Sequence, residues 1–186
     1  MIPGKLIRLR PIERSDLRQF VQWFGDPEFR WYIAMYNPIS MDQEERWFDR
    51  SSASPDTQPW AIEAPAGTAD EGTSAGEWEL IGSCGFHTID WRNRSAEVGI
   101  IIGAKHYWGR GYGTDAMRTL VSWGFANLNL NRIHLHVYAD NARAIRSYEK
   151  VGFKLEGRLR EDDYREGQYR DSVIMSILQR EWRAMK

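Results

Sequence analysis

A glycine-rich stretch in the middle of the chain constrains the fold more than any other feature. It runs YWGRGYGTDA from Tyr107 to Ala116. The apolar run Val98 to Ile102 before it predicts a buried strand, and the apolar positions from Met117 to Leu128 recur at helical spacing. The glycines therefore lie on a strand-to-helix turn, where the backbone bends tightly and a ligand reaches bare N–H groups. Such a turn at the positive end of a helix predicts a phosphate site.

The spacing of these glycines excludes two common nucleotide motifs. A dinucleotide fingerprint needs G-x-G-x-x-G, and a P-loop needs G-x-x-x-x-G-K-[ST]. The chain instead has Gly109, Gly111 and Gly113 at alternate positions, with no lysine and hydroxyl pair in register. A phosphate held here must therefore belong to a different class of ligand.

The first third of the chain predicts one strand and three helices. The strand covers Lys5–Arg10, and the helices open at the cap residues Ser15, Asp26 and Ser40. Two paired strands follow, and the segment Ala64–Glu79 between them is rich in small and acidic residues. That composition predicts a mobile hairpin loop.

Strands and helices alternate through the second half. The segment Arg132–Tyr138 alternates as a strand, with His134 and His136 on its more polar face. A helix over Ala142–Val151 is capped by Asn141 and ended by Gly152, and two more strands run on to Leu178 with a charged turn between them.

Two motifs in this half resemble the GNAT superfamily of N-acetyltransferases. Gly111-Tyr112-Gly113 match the end of its coenzyme A pyrophosphate loop, [Q/R]-x-x-G-x-[G/A], and NARAIRSYEKVGF from Asn141 to Phe153 matches N-x-x-A-x-x-x-Y-E-x-x-G-F. Trp108 stands where Gln or Arg is usual, a departure typical of the ribosomal-protein-alanine acetyltransferase branch (RimJ/RimL type). The match runs from about residue 80 to the C terminus, and the first third agrees only in the order of elements.

The resemblance implies one α/β (α+β) domain over residues 1–186. Its mixed, mostly antiparallel sheet of six to seven strands is flanked by helices on both faces. The implied activity is transfer of the acetyl group of acetyl-CoA to a primary amine by a soluble, cytoplasmic enzyme. The RimJ/RimL branch implies a protein N-terminal α-amine, such as that of a ribosomal protein, as acceptor. A polyamine, an aminoglycoside or an amino acid stays open, as do a non-catalytic acyl-CoA-binding or sensing domain and a homodimer.

The same resemblance implies which residues bind coenzyme A. The strand before the glycine loop pairs with pantetheine as if with an extra strand and offers a backbone N–H to the developing oxyanion. The loop binds the pyrophosphate, and Asn141 contacts the cofactor. The implied set is Ile100, Ile101, Ile102, Trp108, Gly109, Arg110, Gly111, Tyr112, Gly113, Thr114 and Asn141.

The family chemistry also assigns acid and base roles. Tyr148 lies on the helix face of Asn141 and is the implied general acid, with Ser147 as the alternative. Glu97, fourteen residues before Gly111, and His136 are the rival bases. Removing the proton of an amine of pKa ~10.4 costs about 4–5 kcal/mol at pH 7, against ~1–1.4 kcal/mol for an α-amine near pKa ~8. A strong base therefore matters mainly for a lysine-like or polyamine acceptor.

The early helices supply one wall of the acceptor site in the resembled family. Their aromatic residues and the acids Asp26 and Glu28 are therefore expected either to contact the amine or to serve ordinary packing and surface charge.

Composition removes several other function classes. The formal net charge of −1 gives no electrostatic case for nucleic-acid binding. The single cysteine, Cys84, excludes an internal disulfide and is expected to be a buried apolar residue. Neither a signal peptide nor a run of transmembrane length is expected, and the histidines show no metal-ligand spacing.

Overall fold

The computed structural model describes residues 1–66 and 77–185 of the chain. The strands are β1 (Ile2–Pro3), β2 (Arg8–Pro11), β3 (Gln58–Pro65), β4 (Trp78–Asp90), β5 (Ser95–Ile102), β6 (Arg132–Tyr138), β7 (Lys154–Arg165) and β8 (Gln168–Leu178). The helices are α1 (Leu17–Gly25), α2 (Pro27–Arg30), α3 (Met41–Ala53), α4 (Tyr112–Asn127), α5 (Ala142–Val151) and α6 (Gln179–Ala184). In these ranges no helix is both long and apolar enough to span a bilayer.

All eight strands form one sheet in the order β1-β2-β3-β4-β5-β6-β8-β7. Every neighbouring pair is antiparallel except β5 and β6, which run parallel. This confirms the mixed, mostly antiparallel sheet expected from the resemblance. The strand count exceeds the six to seven expected, and β1, at two residues, is too short to show an alternating pattern.

The two faces of the sheet bury separate apolar clusters. Helix α1 packs Leu17 and Phe20 near Ala61 on one face. On the other face, helix α4 packs Met117 and Leu120 against a larger cluster that also includes residues of α5 and α6. Helices therefore flank both faces, as expected, because alternate residues of each inner strand point to opposite sides.

Local capping signals account for most helix boundaries. Asp26 accepts the backbone N–H groups of Glu28 and Phe29, and Ser40 forms a capping box with Gln43. The prediction of Ser15 as a cap is wrong. Residues Arg14–Asp16 form a 3₁₀ turn instead, and the backbone N–H of Glu13 donates to the Asp16 carboxylate at 2.8 Å.

Two strand boundaries also differ from the prediction. The strand expected from Lys5 starts at Arg8, because a turn closed by the Gly4 N–H and the Ile7 carbonyl precedes it. The hairpin loop expected over 64–79 is wrong at its ends, where Pro65 of β3 pairs with Trp78 of β4. Its interior, 67–76, lies outside the described residues.

Candidate active site

The site lies where the parallel strands β5 and β6 part. They pair over three residues only, with Ser95, Ala96 and Glu97 opposite Arg132, Ile133 and His134. The described residues show no further pairing between the two strands, so the β5 edge from Val98 to Ile102 faces a pocket of about 640 Å³. Ile100, Ile101 and Ile102 line it, as expected for a strand that receives an extended ligand.

The glycine loop closes one end of this pocket. Gly109 and Gly111 have φ angles of +75° and +91°, which residues other than glycine rarely adopt. Gly111 is the N-cap of α4. No atom lies within 4 Å of a Cβ built on Gly109. Asp115 in the first turn is turned away, because its carboxylate accepts the Leu6 N–H at 2.7 Å. The loop therefore fits a phosphate group through backbone donors and the helix terminus.

Only part of the predicted loop set lines the pocket. Trp108, Gly109, Gly111, Gly113 and Thr114 do so. The side chain of Arg110 is exposed outside the lining, and the ring of Tyr112 packs edge-on against Tyr107, 4.8 Å between centroids. The side chains of these two predicted residues therefore lie outside the pocket lining.

Trp108 fixes the loop to the strand before it. Its indole Nε1–H donates to the carbonyl of Ile102 at 2.7 Å. The guanidinium of Arg143 lies over the Trp108 ring at 4.0 Å and over the Tyr32 ring at 5.2 Å. The residue that departs from the usual Gln or Arg thus provides an aromatic surface that orients a cation.

Helix α5 adds positive charge beside the loop. Arg143, Arg146 and Lys150 follow one another along one side of the helix and all line the pocket. Together with the α4 terminus, they make this end of the pocket attractive to an anion with several phosphates.

The motif residues of α5 also face the pocket. Tyr148 lines it, its hydroxyl forms no hydrogen bond with any described residue, and burial raises its pKa to about 12. The hydroxyl of Ser147, the alternative general acid, already forms a 2.7 Å hydrogen bond with that of Thr114. Asn141 caps α5, since its side-chain oxygen accepts the Ala144 N–H, and its amide NH₂ stays available to a ligand.

The two rival bases form one pair. The His136 Nδ1 lies 3.0 Å from the Glu97 Oε1. A carboxylate can only accept, so the Nδ1–H donates and the Nε2 of the uncharged ring is left as an acceptor. Sequence positions presented these residues as alternatives, whereas the structure places them in a single unit on the pocket wall.

Two further histidines, His87 and His134, lie near this pair. The His87 ring covers Gly99 so closely that any Cβ there would overlap its Nε2. Burial lowers the pKa of His87, while the nearby charge of Glu97 acts in the opposite direction. His134, on the other side of His136, has its pKa lowered mainly by burial and secondly by Arg132. Over residues 1–66 and 77–185, no three His, Cys, Asp or Glu side chains are arranged to hold a metal ion.

The early helices supply the opposite wall, as the resemblance implied. Phe29 at the end of α2 and Tyr32 and Tyr36 after it line the pocket. Asp26 and Glu28 follow the second alternative, that of surface charge. Both carboxylates bind Lys105, and neither lines the pocket.

Several lining residues were missed by sequence reasoning. Asp162 and Asp163 belong to the charged run that ends β7, and no motif marks them in the sequence. His87 stands on a strand with no motif around it, and only the side-chain-free Gly99 opposite could have indicated it. Cys84, in contrast, is buried as expected, and burial raises the pKa of its thiol.

Comparisons with known proteins agree with this geometry. The profile of the acetyltransferase (GNAT) domain family matches residues 7–154. The spermidine N(1)-acetyltransferase of Escherichia coli (strain K12) is 33% identical, over 96% of this chain and 89% of the relative. The candidate ribosomal N-acetyltransferase YdaF of Bacillus subtilis (strain 168) is 30% identical, over 97% and 95%.

A solved structure shows a similar fold with ligands. It is the spermidine N-acetyltransferase from Vibrio cholerae in complex with CoA and spermine. The similarity covers 95% of this chain and 98% of the other, with a TM-score of 0.82 and 29% sequence identity.

Proposed function

This chain belongs to the acetyltransferase (GNAT) domain family and is an acetyl-CoA-dependent N-acetyltransferase, and from that premise we propose that its acceptor is a small polyamine. The RimJ/RimL branch expected from the sequence is not specifically supported, because the similar proteins include spermidine acetyltransferases as well as a candidate ribosomal one. The choice between these acceptors therefore has to come from the pocket.

The distribution of charge in the pocket carries the proposal. Lining cations gather beside the glycine loop, whereas the lining carboxylates are Glu97, Asp162 and Asp163. These acids follow one another around the β6 side, because His136 contacts Glu97 and the Tyr138 hydroxyl donates to Asp163 at 3.2 Å. Asp163 faces two buried arginines, so Glu97 and Asp162 are the carboxylates left to attract an acceptor with separated positive charges.

Acetyl-CoA, when bound, supplies the acetyl group as a thioester. The glycine loop and α4 terminus would hold its pyrophosphate, and Arg143, Arg146 and Lys150 would neutralise further phosphate charge. The open edge of β5 offers backbone groups for its amide-containing arm.

The Glu97–His136 pair would remove the proton from the amine. A polyamine ammonium of pKa ~10.4 costs about 4–5 kcal/mol to neutralise at pH 7, so the acceptor proposed here needs a positioned base. The pair provides one, because Glu97 holds His136 with Nε2 free and favours the imidazolium formed when the proton arrives.

Tyr148 would donate the proton that the departing sulfur needs. With its pKa raised to about 12, the phenol stays protonated at neutral pH. The hydroxyl is not engaged by any described residue, so it is available to a group in the pocket.

The acceptor is tested by following thiol release with a panel of amines. We expect kcat/KM for spermidine or spermine to exceed that for an Ala- or Ser-initiated peptide at least tenfold. Asp162→Asn should lower kcat/KM for spermidine more than for a monoamine of similar pKa, because the carboxylate acts on the second charge. A preference for the peptide would overturn the proposal, and binding of CoA without any turnover would instead support a sensing domain.

A protein N-terminal α-amine is the second candidate. The tryptophan at position 108 of the loop and the similarity to YdaF favour it.

A homodimer and a cytoplasmic location also stay predictions. The dimer is supported by β7, an edge strand on which Leu155 is 65% exposed, and sedimentation would test it.

A further inference from the structure

The wall opposite the catalytic pair is held in place by residues remote in sequence. It consists of residues 31–36, a run of turns after α2 that carries the lining side chains Tyr32 and Tyr36. Four N–H groups of this run bond to carbonyls of the run or of α2, while carbonyls of the run also accept hydrogen bonds from remote parts of the fold.

Two buried arginines of the β7–β8 hairpin hold the wall by its carbonyl groups. Arg165 donates to the carbonyls of Arg30 and Ile33, the latter at 3.0 Å, and Arg170 donates to that of Trp31 at 3.0 Å. Both arginines are only 9% exposed. Two guanidiniums this buried need a nearby negative charge.

Two carboxylates provide that charge: Asp140, which accepts Arg170 Nη2 at 2.8 Å, and Asp163, which also reaches the wall. The Oδ2 of Asp163 lies 3.9 Å from both Arg165 Nε and Arg170 Nη1, and the residue is 4% exposed. Its Oδ1 accepts the hydroxyls of Tyr36 at 2.8 Å and Tyr138 at 3.2 Å. One carboxylate thus joins the wall, through Tyr36, to the strand that carries His136.

We infer that Asp163, acting through Tyr36, is a positioning residue that sets the affinity for the amine. Tyr36 lines the pocket on the acceptor wall, remote in the chain from the glycine loop and from the Glu97–His136 pair. Loss of its hydrogen bond should therefore loosen the wall and weaken amine binding, and leave acetyl-CoA binding and the proton-transfer groups intact. The inference rests on the proposed function only in taking this wall as the acceptor side.

The test measures KM for amine and acetyl-CoA separately in Tyr36→Phe. Tyr36 is 60% exposed, so the variant should fold normally. We expect the amine KM to rise roughly two- to tenfold, the range of one lost hydrogen bond, with kcat and the acetyl-CoA KM unchanged. Tyr169→Phe is the matched control, because Tyr169 is an exposed tyrosine stacked on Tyr164 outside the pocket lining.

A double-variant cycle tests whether Tyr36 works through Asp163. If it does, Tyr36→Phe should add nothing to the amine KM of Asp163→Ala, which removes the acceptor of the Tyr36 hydroxyl. Additive effects, an unchanged amine KM, or an equal rise in the acetyl-CoA KM would overturn the inference. If Asp163→Ala does not fold, the KM pattern of Tyr36→Phe alone decides. The assay uses whichever amine the panel prefers, so a failure of spermidine as acceptor leaves this test intact.

Discussion

Glu97 and His136 illustrate what a single hydrogen bond changes at the residue scale. If Glu97 and His136 acted separately, replacing each of them would lower the rate by its own factor. As a pair joined at 3.0 Å, they should behave as one unit, because His136 without its carboxylate loses both orientation and charge stabilisation.

We therefore expect Glu97→Gln and His136→Gln to lower kcat with a polyamine by roughly 10²-fold each. The double variant should be no slower than the worse single variant. An α-amine peptide should lose less, because it needs less help in losing its proton. Steady-state rates of the three variants check this, and multiplicative losses would show that the two residues act separately.

Tyr148→Phe tests the acid. We expect kcat to fall by about 10²–10⁴, with CoA affinity unchanged. The melting temperature should also stay unchanged, since the hydroxyl forms no hydrogen bond with any described residue and the ring keeps its packing near Phe153. A near-normal kcat would remove Tyr148 from the mechanism and return attention to Ser147.

Sequence could identify these three residues but not their relations. Tyr148 lies in a motif, and Glu97 and His136 stand at fixed distances from one. The hydrogen bond between the last two depends on the parallel register that places Glu97 opposite His134, and this register is set by tertiary packing. The choice between the two alternatives for Asp26 and Glu28 was out of reach for the same reason, because their partner Lys105 comes from a distant part of the chain.

At the scale of elements, a substitution at the start of α4 should show whether a glycine there is needed for the turn or for the close approach of a ligand. Gly113 has an ordinary φ, and a Cβ there would meet only Ile102 Cγ1 at 3.5 Å. Gly113→Ala should therefore fold normally yet weaken CoA binding roughly tenfold, because the methyl group lies in the pocket lining. Calorimetric titration with CoA measures this.

Gly25→Ala is the matched control for that variant. Gly25 ends α1, away from the pocket, and a Cβ there meets no atom within 4 Å. Equal CoA affinity in both variants would mean that Gly113 serves the helix turn alone.

The attachment of β7 to its neighbours should depend on pH. Arg132 of β6 and Ser176 of β8 donate to Glu156 of β7, and the hydrogen bonds from Arg132 chiefly lower the pKa of Glu156 to about 2, from 4.5. A folded-state pKa below the unfolded one gives stability above pH 4.5 that disappears as pH falls towards 2.

Glu156→Gln should therefore reduce the free energy of unfolding at pH 7 by about 0.5–1 kcal/mol, a modest value because the pair is partly solvated. The difference from the parent protein should shrink towards zero as the pH falls to about 2. Urea unfolding at the two pH values measures it, and a gap of constant size would exclude ionisation as its cause.

Helix boundaries were the elements best predicted from sequence, because caps are local. Asp26, Ser40, Asn141 and Gly152 all act as expected. Ser15 fails because Asp16 binds back to the Glu13 N–H and turns the chain one residue later. Strand ends were less predictable, since Pro65 and Trp78 extend their strands only because they pair with each other.

At the scale of the whole molecule, the sheet consists of two parts. Strands β1 to β5 form one antiparallel set, and β6, β8 and β7 form the other. The family resemblance predicted this mixed sheet with helices on both faces. Composition and periodicity alone would not, because neither carries information on which strands are neighbours.

The short β5–β6 pairing leaves the two parts of the sheet weakly joined. Three residue pairs connect them in the described chain, and beyond these pairs the strands separate and border the pocket. A cofactor bound along β5 would connect the two parts of the sheet, so its binding should make β5 beside the pocket more rigid. Hydrogen–deuterium exchange at 98–102 should slow on addition of CoA, while exchange at 80–86 in β4 changes little. The enzyme would therefore be most flexible between β5 and β6 when no cofactor is bound.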